Sequence, residues 1–317
     1  MKRYGYLYNK IYSFNNLNLA ELKAKRGKSK QQGVIEFNKN RHFNLSQLHL
    51  VLKSKNYKTS KYKTFKIYEK KERIISKLPY KDRVVQWAII NVIGEILNKS
   101  LITQTYSNIK HRGIHLCLKH LNIILKNKEL SKYCLKVDIK KYYKSINKDI
   151  LKYLLAKKFK DKDLLNLLFE IIDSNKDGLP LGNLTSQYFG NFYLNSFLHY
   201  LKQDLKIKYI FVYCDDIVVL SNCKIKLYQI LNEINQYLNK LNLQLSNWQR
   251  FPIDSRGIDF LGYVSYSTHI KLRKSIKLNY IKMIKNNNNL KSRNSYNGWL
   301  KYCNSINLKN KYEHKNT

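Results

Sequence analysis

Tyr209-Ile210-Phe211-Val212-Tyr213-Cys214-Asp215-Asp216-Ile217-Val218-Val219-Leu220 is the most informative stretch of this chain. Two β-branched and aromatic runs flank a pair of adjacent carboxylates, and apolar runs of this length predict buried strands. Acids that interrupt them belong at a hairpin turn, within reach of solvent and metal. A buried, uncompensated carboxylate pair is too costly to be filler. The bland alternative is an acidic β-turn without chemistry, and a further acid weighs against it. Cys134-Leu135-Lys136-Val137-Asp138 is also strand-like and ends in a carboxylate. If these strands are neighbours, Asp138 converges with Asp215 and Asp216. Such carboxylates are hard oxygen ligands suited to Mg²⁺. Two ions about 3.5–4 Å apart can activate an attacking hydroxyl and stabilise a leaving pyrophosphate. Nucleotidyl transfer and metal-dependent nuclease chemistry both remain open on these residues alone.

The composition points to the partner. The 317 residues hold 60 Lys and Arg against 21 Asp and Glu, a formal net charge of +39 spread along the whole length. A field of that sign would hold a polyanion, and nucleic acid is the expected one. No apolar run approaches the roughly 18–20 residues that span a bilayer, and the segment Met1-Lys2-Arg3-Tyr4 lacks the apolar stretch of a signal peptide. No membrane partner is therefore expected. Five cysteines form no C-x-x-C pair, which suggests reduced thiols and a cytoplasmic location. His111, His115, Cys117 and His120 lie close together, but their spacing fits no usual zinc pattern.

Along the chain, residues 1–60 read as basic and mostly helical, with a dense cationic cluster over 23–30. Weak alternation over Tyr62–Tyr68, then Lys70-Lys71-Glu72-Arg73 leading into Ile74-Ile75, predicts a β-hairpin with a charged turn. A long apolar periodicity from Val84 to Leu97 predicts a buried helix, with Asp82 as its N-cap. A helix is expected over 148–159 with Asn147 as cap, then a loop over 178–183 opening into one long helix from Thr185 to about Leu205. A helix near 224–241, a strand over 260–264 and a helical, basic end over 271–317 complete the order. The result is an α+β layer whose small antiparallel sheet carries acids on one face. Tyr142-Tyr143 places aromatic rings just after Asp138, and Gly182 lets backbone approach a ligand closely.

These residues resemble, as an ordered set, the motif blocks of reverse transcriptases: Lys71-x-Arg73, Asp82-Arg83-Val84-Val85-Gln86, Asp138-x4-Tyr143, Leu181-Gly182-x3-Ser186-Gln187, Tyr213-x-Asp215-Asp216 and Phe260-Leu261-Gly262-Tyr263. Most bacterial members have Gln-Gly in the middle motif. Leu181-Gly182-Asn183-Leu184-Thr185-Ser186-Gln187 resembles instead the diversity-generating retroelement branch. So do Lys2-Arg3-Tyr4-Gly5, Lys25-x-Gly27-Lys28 and Ser295-Tyr296-x-Gly298-Trp299-Leu300. The resemblance implies a right-hand polymerase fold with fingers, an RRM-like palm and a short helical thumb. Residues 1–82 would be N-terminal region and fingers, with 145–178 contributing, 83–144 and 179–268 palm, and 269–317 thumb.

The same resemblance implies RNA-directed DNA polymerisation with two Mg²⁺ ions, catalysed by Asp138, Asp215 and Asp216 with the Ile139 carbonyl completing a metal site. Lys71 and Arg73 would grip the incoming dNTP, Tyr143 would exclude a 2′-hydroxyl, and Leu181 and Gly182 would pack on the nascent base pair. Lys25, Arg26, Lys28, Arg83, Ser186, Gln187 and Tyr213 would contact nucleic acid. Implied partners are a template RNA, a DNA or RNA primer, dNTPs and a small basic helical-bundle accessory protein, in a bacterial or phage-encoded system. Errors opposite adenine would diversify a target gene. A retron or phage-defence reverse transcriptase and a non-catalytic RNA-binding scaffold are the alternatives. Two departures stand out: Leu181 replaces the usual amide, and Ser246-Asn247-Trp248-Gln249-Arg250 lacks a lysine that relatives usually carry, leaving Gln249 or Arg250 as a stand-in.

Overall fold

A computed structural model of the chain describes residues 2–68, 72–286 and 289–313. The basic N-terminal region is helical, as its leucine spacing predicts: α1 (Tyr8–Tyr12), α2 (Phe14–Lys25), α3 (Gln32–Lys39) and α4 (Arg41–Lys53). Leu17 and Ala20 of α2 and Leu45, Leu48 and Leu52 of α4 are buried. The expected hairpin follows as β1 (Lys63–Tyr68) and antiparallel β2 (Glu72–Lys77). Next comes the apolar helix α5 (Tyr80–Ser100), which buries Val84, Val85, Ala88, Ile89 and Ile93. One expectation fails here, because Pro79 rather than Asp82 is the N-cap. Asp82 sits inside the first turn, where its Oδ1 accepts from the Tyr57 hydroxyl at 2.7 Å and the Ser60 amide at 3.2 Å. A preceding loop, not the helix end, engages that carboxylate.

Helix α6 (Ile114–Leu125), strand β3 (Tyr133–Ile139) and helices α7 (Tyr142–Ser145), α8 (Lys148–Lys158) and α9 (Lys162–Asp173) follow. Asn147 caps α8 as predicted, accepting from the amides of Asp149 and Ile150, each at 3.0 Å. The single helix predicted from Thr185 is instead α10 (Leu184–Tyr193), α11 (Asn195–His199) and a π-helical turn at Tyr200–Asp204. Leu194, at φ −81° and ψ −4°, separates the first two segments. Apolar periodicity runs on through such a break, so the sequence pattern does not register it.

Strands β4 (Tyr209–Tyr213) and β5 (Asp216–Ser221), helix α12 (Lys224–Lys240), strand β6 (Leu245–Pro252) and helix α13 (Ile253–Arg256) come next. They are followed by β7 (Ile258–Phe260), β8 (Tyr263–Ser265), β9 (Ile270–Leu272), α14 (Lys274–Asn286), α15 (Leu290–Leu300) and α16 (Ile306–Glu313). The strand predicted over 260–264 is therefore two strands around a tight turn, with Leu261 at φ 57° and Gly262 at φ 86°. An added Cβ at Gly262 would stand 2.6 Å from the Trp299 ring, so that turn needs its glycine. Among the described residues no helix is long and apolar enough to cross a membrane.

Contacts divide the chain into two compact units. One comprises Met1–Thr103, Ile139–Asp204 and Gln236–Gln244, and the other Gln104–Asp138, Leu205–Asn235 and Leu245–Thr317. In the first, α5 packs against α2 and α10. In the second lies the four-stranded sheet, in the order β4-β5-β3-β6. Strand alternation puts Cys134, Lys136 and Asp138 on the same face as Asp216, Val218 and Leu220 of the neighbouring strand. Cys134, Val218, Leu220 and Phe211 are buried there with Leu121 and Leu125 of α6 and Phe260 of β7. The apolar half of this face is thus covered, and its other end carries the charges. Tyr263, Leu272, Tyr280, Ile284 and Leu300 form a second cluster that holds β8 and β9 to α14 and α15.

Candidate active site

The carboxylates are placed by strand register. Strand β3 runs antiparallel to β5, and Asp138 is the direct cross-strand partner of Asp216. Tyr213 is the partner of Asp216 on the other side. Cys214 and Asp215 form the turn between β4 and β5, with Cys214 at φ 55°. That left-handed conformation costs an L-residue about 1 kcal/mol or more. Here it is held by a hydrogen bond from the Cys214 amide to the buried Ser107 hydroxyl at 3.0 Å. Ser107 is itself fixed because the chain before it runs beside β4. The Tyr106 amide donates to Val212 O, and the Val212 amide to Gln104 O, both at 3.0 Å.

All three carboxylates are half-buried. Asp216 is held above the usual carboxylate range, first by burial; the charges of Asp138 and Asp259 push the same way, while Lys136 and Arg273 oppose them. Lys136 Nζ stands 3.7 Å from Asp216 Oδ1. Ser246 of β6 donates its hydroxyl to Asp138 Oδ2. Neither Lys136 nor Ser246 was singled out from the sequence. Lys136 left a signal, since it is the one charge inside an apolar strand and shares a face with Asp138. Gln249 and Arg250 lie on the same strand as Ser246 and are engaged elsewhere: Gln249 Oε1 accepts from Arg256 at 2.7 Å, and Arg250 donates to Lys224 O at 3.4 Å.

The other candidate residues lie in the first unit. Tyr143 follows Lys141, which is at φ 46°. A Cβ added to Gly190 of α10 would stand 3.1 Å from the Tyr143 ring, so the ring is backed by that helix. The adjacent Tyr142 is buried and donates its hydroxyl to Gly190 O at 2.5 Å. Leu181 is half-buried and Gly182 exposed, in a loop fixed at several points. Leu181 O accepts from the Ser76 amide of β2 at 2.8 Å. Gly182 sits at φ 119°, and a Cβ there would meet Ser76 O at 2.5 Å. Asn183 donates to the Tyr62 hydroxyl, and Gln86 Oε1 accepts from the Leu184 amide, each at 2.8 Å.

Arg73 is exposed on β2, and Lys71 lies outside the described residues. Arg83 lies over the Tyr80 ring at 5.9 Å, and its Nη1 donates to Gln31 at 3.4 Å. Burial pushes the proton affinity of Lys28 down, and the nearby charges of Arg83 and Lys77 push it further. Lys28, Lys77 and Arg83 thus gather into one cationic cluster, which suits a phosphate. Arg26 is exposed, and Lys25 donates to Asn38 at 3.1 Å. Ser186 is 3% exposed and packs inward, whereas Gln187 faces solvent. Of that pair, only Gln187 is exposed at the surface. His120 Nδ1 bonds the Tyr106 hydroxyl at 2.8 Å, and the His115 ring stacks on Tyr302 at 3.7 Å.

Residues 55–265 match the family model described as reverse transcriptase (RNA-dependent DNA polymerase). The chain belongs to the reverse transcriptase family. Among solved structures, telomerase from Candida albicans in complex with a TWJ fragment of telomeric RNA is similar at TM-score 0.53 and 12% identity, over 73% of this chain and 51% of that one. Apo telomerase from Candida tropicalis is similar at TM-score 0.53 and 14% identity, over 69% and 49%. At such identity the likeness is one of fold, and it is the right-hand polymerase fold. This reverse transcriptase spans about half the length of those telomerase chains. By sequence alone, no curated protein matches it.

The family's reaction is nucleotidyl transfer directed by RNA, and a divalent ion is the cofactor it implies. Among the described residues of this reverse transcriptase, no group of three or more His, Cys, Asp and Glu gathers closely enough to hold a metal by itself. Asp138 and Asp216 nevertheless present hard oxygen donors from facing strand positions. Mg²⁺ is commonly held by one or two carboxylates, with substrate phosphates completing its shell. The donor set fits an ion that arrives with its substrate.

Proposed function

We propose that this reverse transcriptase synthesises DNA on an RNA template with two Mg²⁺ ions and serves a diversity-generating retroelement. The observation that carries the catalytic part is the cross-strand pair Asp138–Asp216 beside the turn that holds Asp215. Asp138 and Asp215 are the main metal ligands, Asp216 is a secondary one, and the Ile139 carbonyl completes a site. When bound, the ions activate the primer hydroxyl and stabilise the leaving pyrophosphate. Lys71 and Arg73 bind the triphosphate, Arg with two parallel hydrogen bonds. Tyr143, backed by Gly190, cannot recede from a 2′-hydroxyl and so selects deoxynucleotides. Leu181 and Gly182 form the floor under the nascent base pair.

Residues 1–82 with 145–178 act as N-terminal region and fingers, 83–144 and 179–268 as palm, and 269–317 as thumb. Lys25, Arg26, Lys28, Arg83, Gln187 and Tyr213 contact template or primer, and the cluster of Lys28, Lys77 and Arg83 takes a backbone phosphate. The Leu181-Gly182-Asn183 sequence supports the retroelement assignment, in which a small basic accessory protein is a partner. A leucine cannot offer the hydrogen bonds of the usual amide, so the base pair is judged by shape, which separates competitors by only about 1–3 kcal/mol. The test is primer extension with Mg²⁺ on an adenine-containing RNA, with every product sequenced. Extension with errors concentrated opposite adenine is the expected result. Faithful extension would retain the polymerase and remove the diversifying role. No extension, even with native RNA and partner, would leave an RNA-binding scaffold.

A further inference from the structure

Lys136 is a cation built into the acidic end of the sheet. It lies two residues before Asp138 on the same face of β3, opposite Val218 and next to Asp216 in the register. Its Nζ donates to the main-chain oxygen of Asp259 at 2.8 Å and lies 6.0 Å from the centre of the Phe260 ring. The carboxylate of Asp259 is itself engaged, accepting from Arg273 Nε at 2.5 Å. This leaves the ammonium aimed at Asp216, 3.7 Å away, with side chains 22% and 38% exposed respectively. That separation is longer than a direct charge-assisted hydrogen bond of about 2.7–2.9 Å. The carboxylate is therefore neutralised without being locked.

Two carboxylates directly opposite one another across antiparallel strands repel. Asp138 and Asp216 are in that position. A nearby cation offsets that repulsion; Arg273 is bonded to Asp259, which leaves Lys136, among the described residues, as the cation within ion-pair distance of Asp216. We propose that Lys136 is a positioning residue that acts as the resident counter-ion of the carboxylate site, holding Asp216 until a divalent cation displaces it. Lys136 shares its face of β3 with the buried Cys134, and the neutral Asp259 carbonyl can keep the ammonium when Asp216 turns to a metal. A consequence is order: an ion alone must compete with Lys136, whereas an ion arriving with a triphosphate brings extra ligands. The site is thereby biased against loading without substrate.

The inference rests on the proposed metal role of Asp138 and Asp216, and the test separates the two. Mn²⁺ binding to the metal-stripped full chain is measured by electron paramagnetic resonance, without nucleotide. The variants are Lys136→Met, Lys136→Arg, Asp138→Asn, Asp216→Asn and the double Lys136→Met/Asp216→Asn. Lys136→Met keeps the stem and removes the charge, so it should tighten Mn²⁺ binding about threefold, the scale of one partly screened ion pair. Lys136→Arg should bind like the parent. In the Asp216→Asn background the effect of Lys136→Met should vanish, because the two residues act on each other. Unchanged or weaker binding by Lys136→Met, or equal tightening without Asp216, would overturn the counter-ion role alone. If neither Asp138→Asn nor Asp216→Asn weakens Mn²⁺ binding, the metal assignment falls and takes this inference with it.

Discussion

The turn that carries Asp215 and the loop that carries Gly182 are both tight reversals, yet they are fixed by different means. The first is set by register: β4 and β5 pair residue for residue, and one serine hydroxyl steadies the left-handed Cys214. Its reactive side chains project from a frame that does not depend on their chemistry. The second is set by backbone proximity. Gly182 lies against the Ser76 carbonyl, and Leu181, Asn183 and Leu184 are each tied to a different segment of the chain. In the turn, chemistry and fold are separable; in the loop they are not.

Substitutions can break this comparison. The largest effect is expected for Asp215→Asn, which should reduce primer extension by about 10³-fold or more, as for loss of a transition-state electrostatic contact. RNA affinity and melting temperature should stay near the parent values, because phosphate contacts carry affinity. A parallel loss of folding would show that the turn is not an independent frame. Gly182→Ala should do the opposite and destabilise the protein by about 2–3 kcal/mol, from a strained φ and a blocked carbonyl. Thermal unfolding checks it, and an unchanged melting temperature would count against the close approach.

Tyr143→Ala should raise ribonucleotide incorporation roughly 10- to 100-fold by removing a shape-selective wall. Equal discrimination by parent and variant in a single-nucleotide extension assay would dismiss Tyr143 as the gate. Leu181→Gln should lower misincorporation opposite adenine about tenfold, read by sequencing extension products. The smallest effect belongs to Ser107→Ala. Loss of the hydrogen bond to the Cys214 amide should cost about 1 kcal/mol of stability, seen in denaturant titration. Its extension rate should fall less than that of Asp215→Asn, since the strand register remains.

Local pattern made much of this protein legible. The paired apolar runs around Asp215 and Asp216 specified a hairpin, and Cys134–Asp138 read as a further strand ending in an acid, whose pairing with the hairpin the sequence left conditional. Asn147 was readable as a cap because capping is a property of a few adjacent residues. Asp82 was misread for the converse reason. Its sequence context fits a cap, but its hydrogen-bond partner is Tyr57, 25 residues away. The tight turn at Leu261 and Gly262 was hidden in an apolar run, since β7 and β8 have only three residues each. The break at Leu194 was invisible because helical periodicity tolerates a change of pitch.

The sequence alone determined the chemical inventory: three strand-like apolar runs, three carboxylates at their ends, and a basic excess suited to a polyanion. Only the tertiary structure decided that Asp138 faces Asp216, that Lys136 stands beside that pair and Ser246 beside Asp138, and that Ser186 turns inward. The physical reason is that side-chain type and period are encoded within a few residues. Register and counter-ion choice instead depend on which distant segments share a buried face.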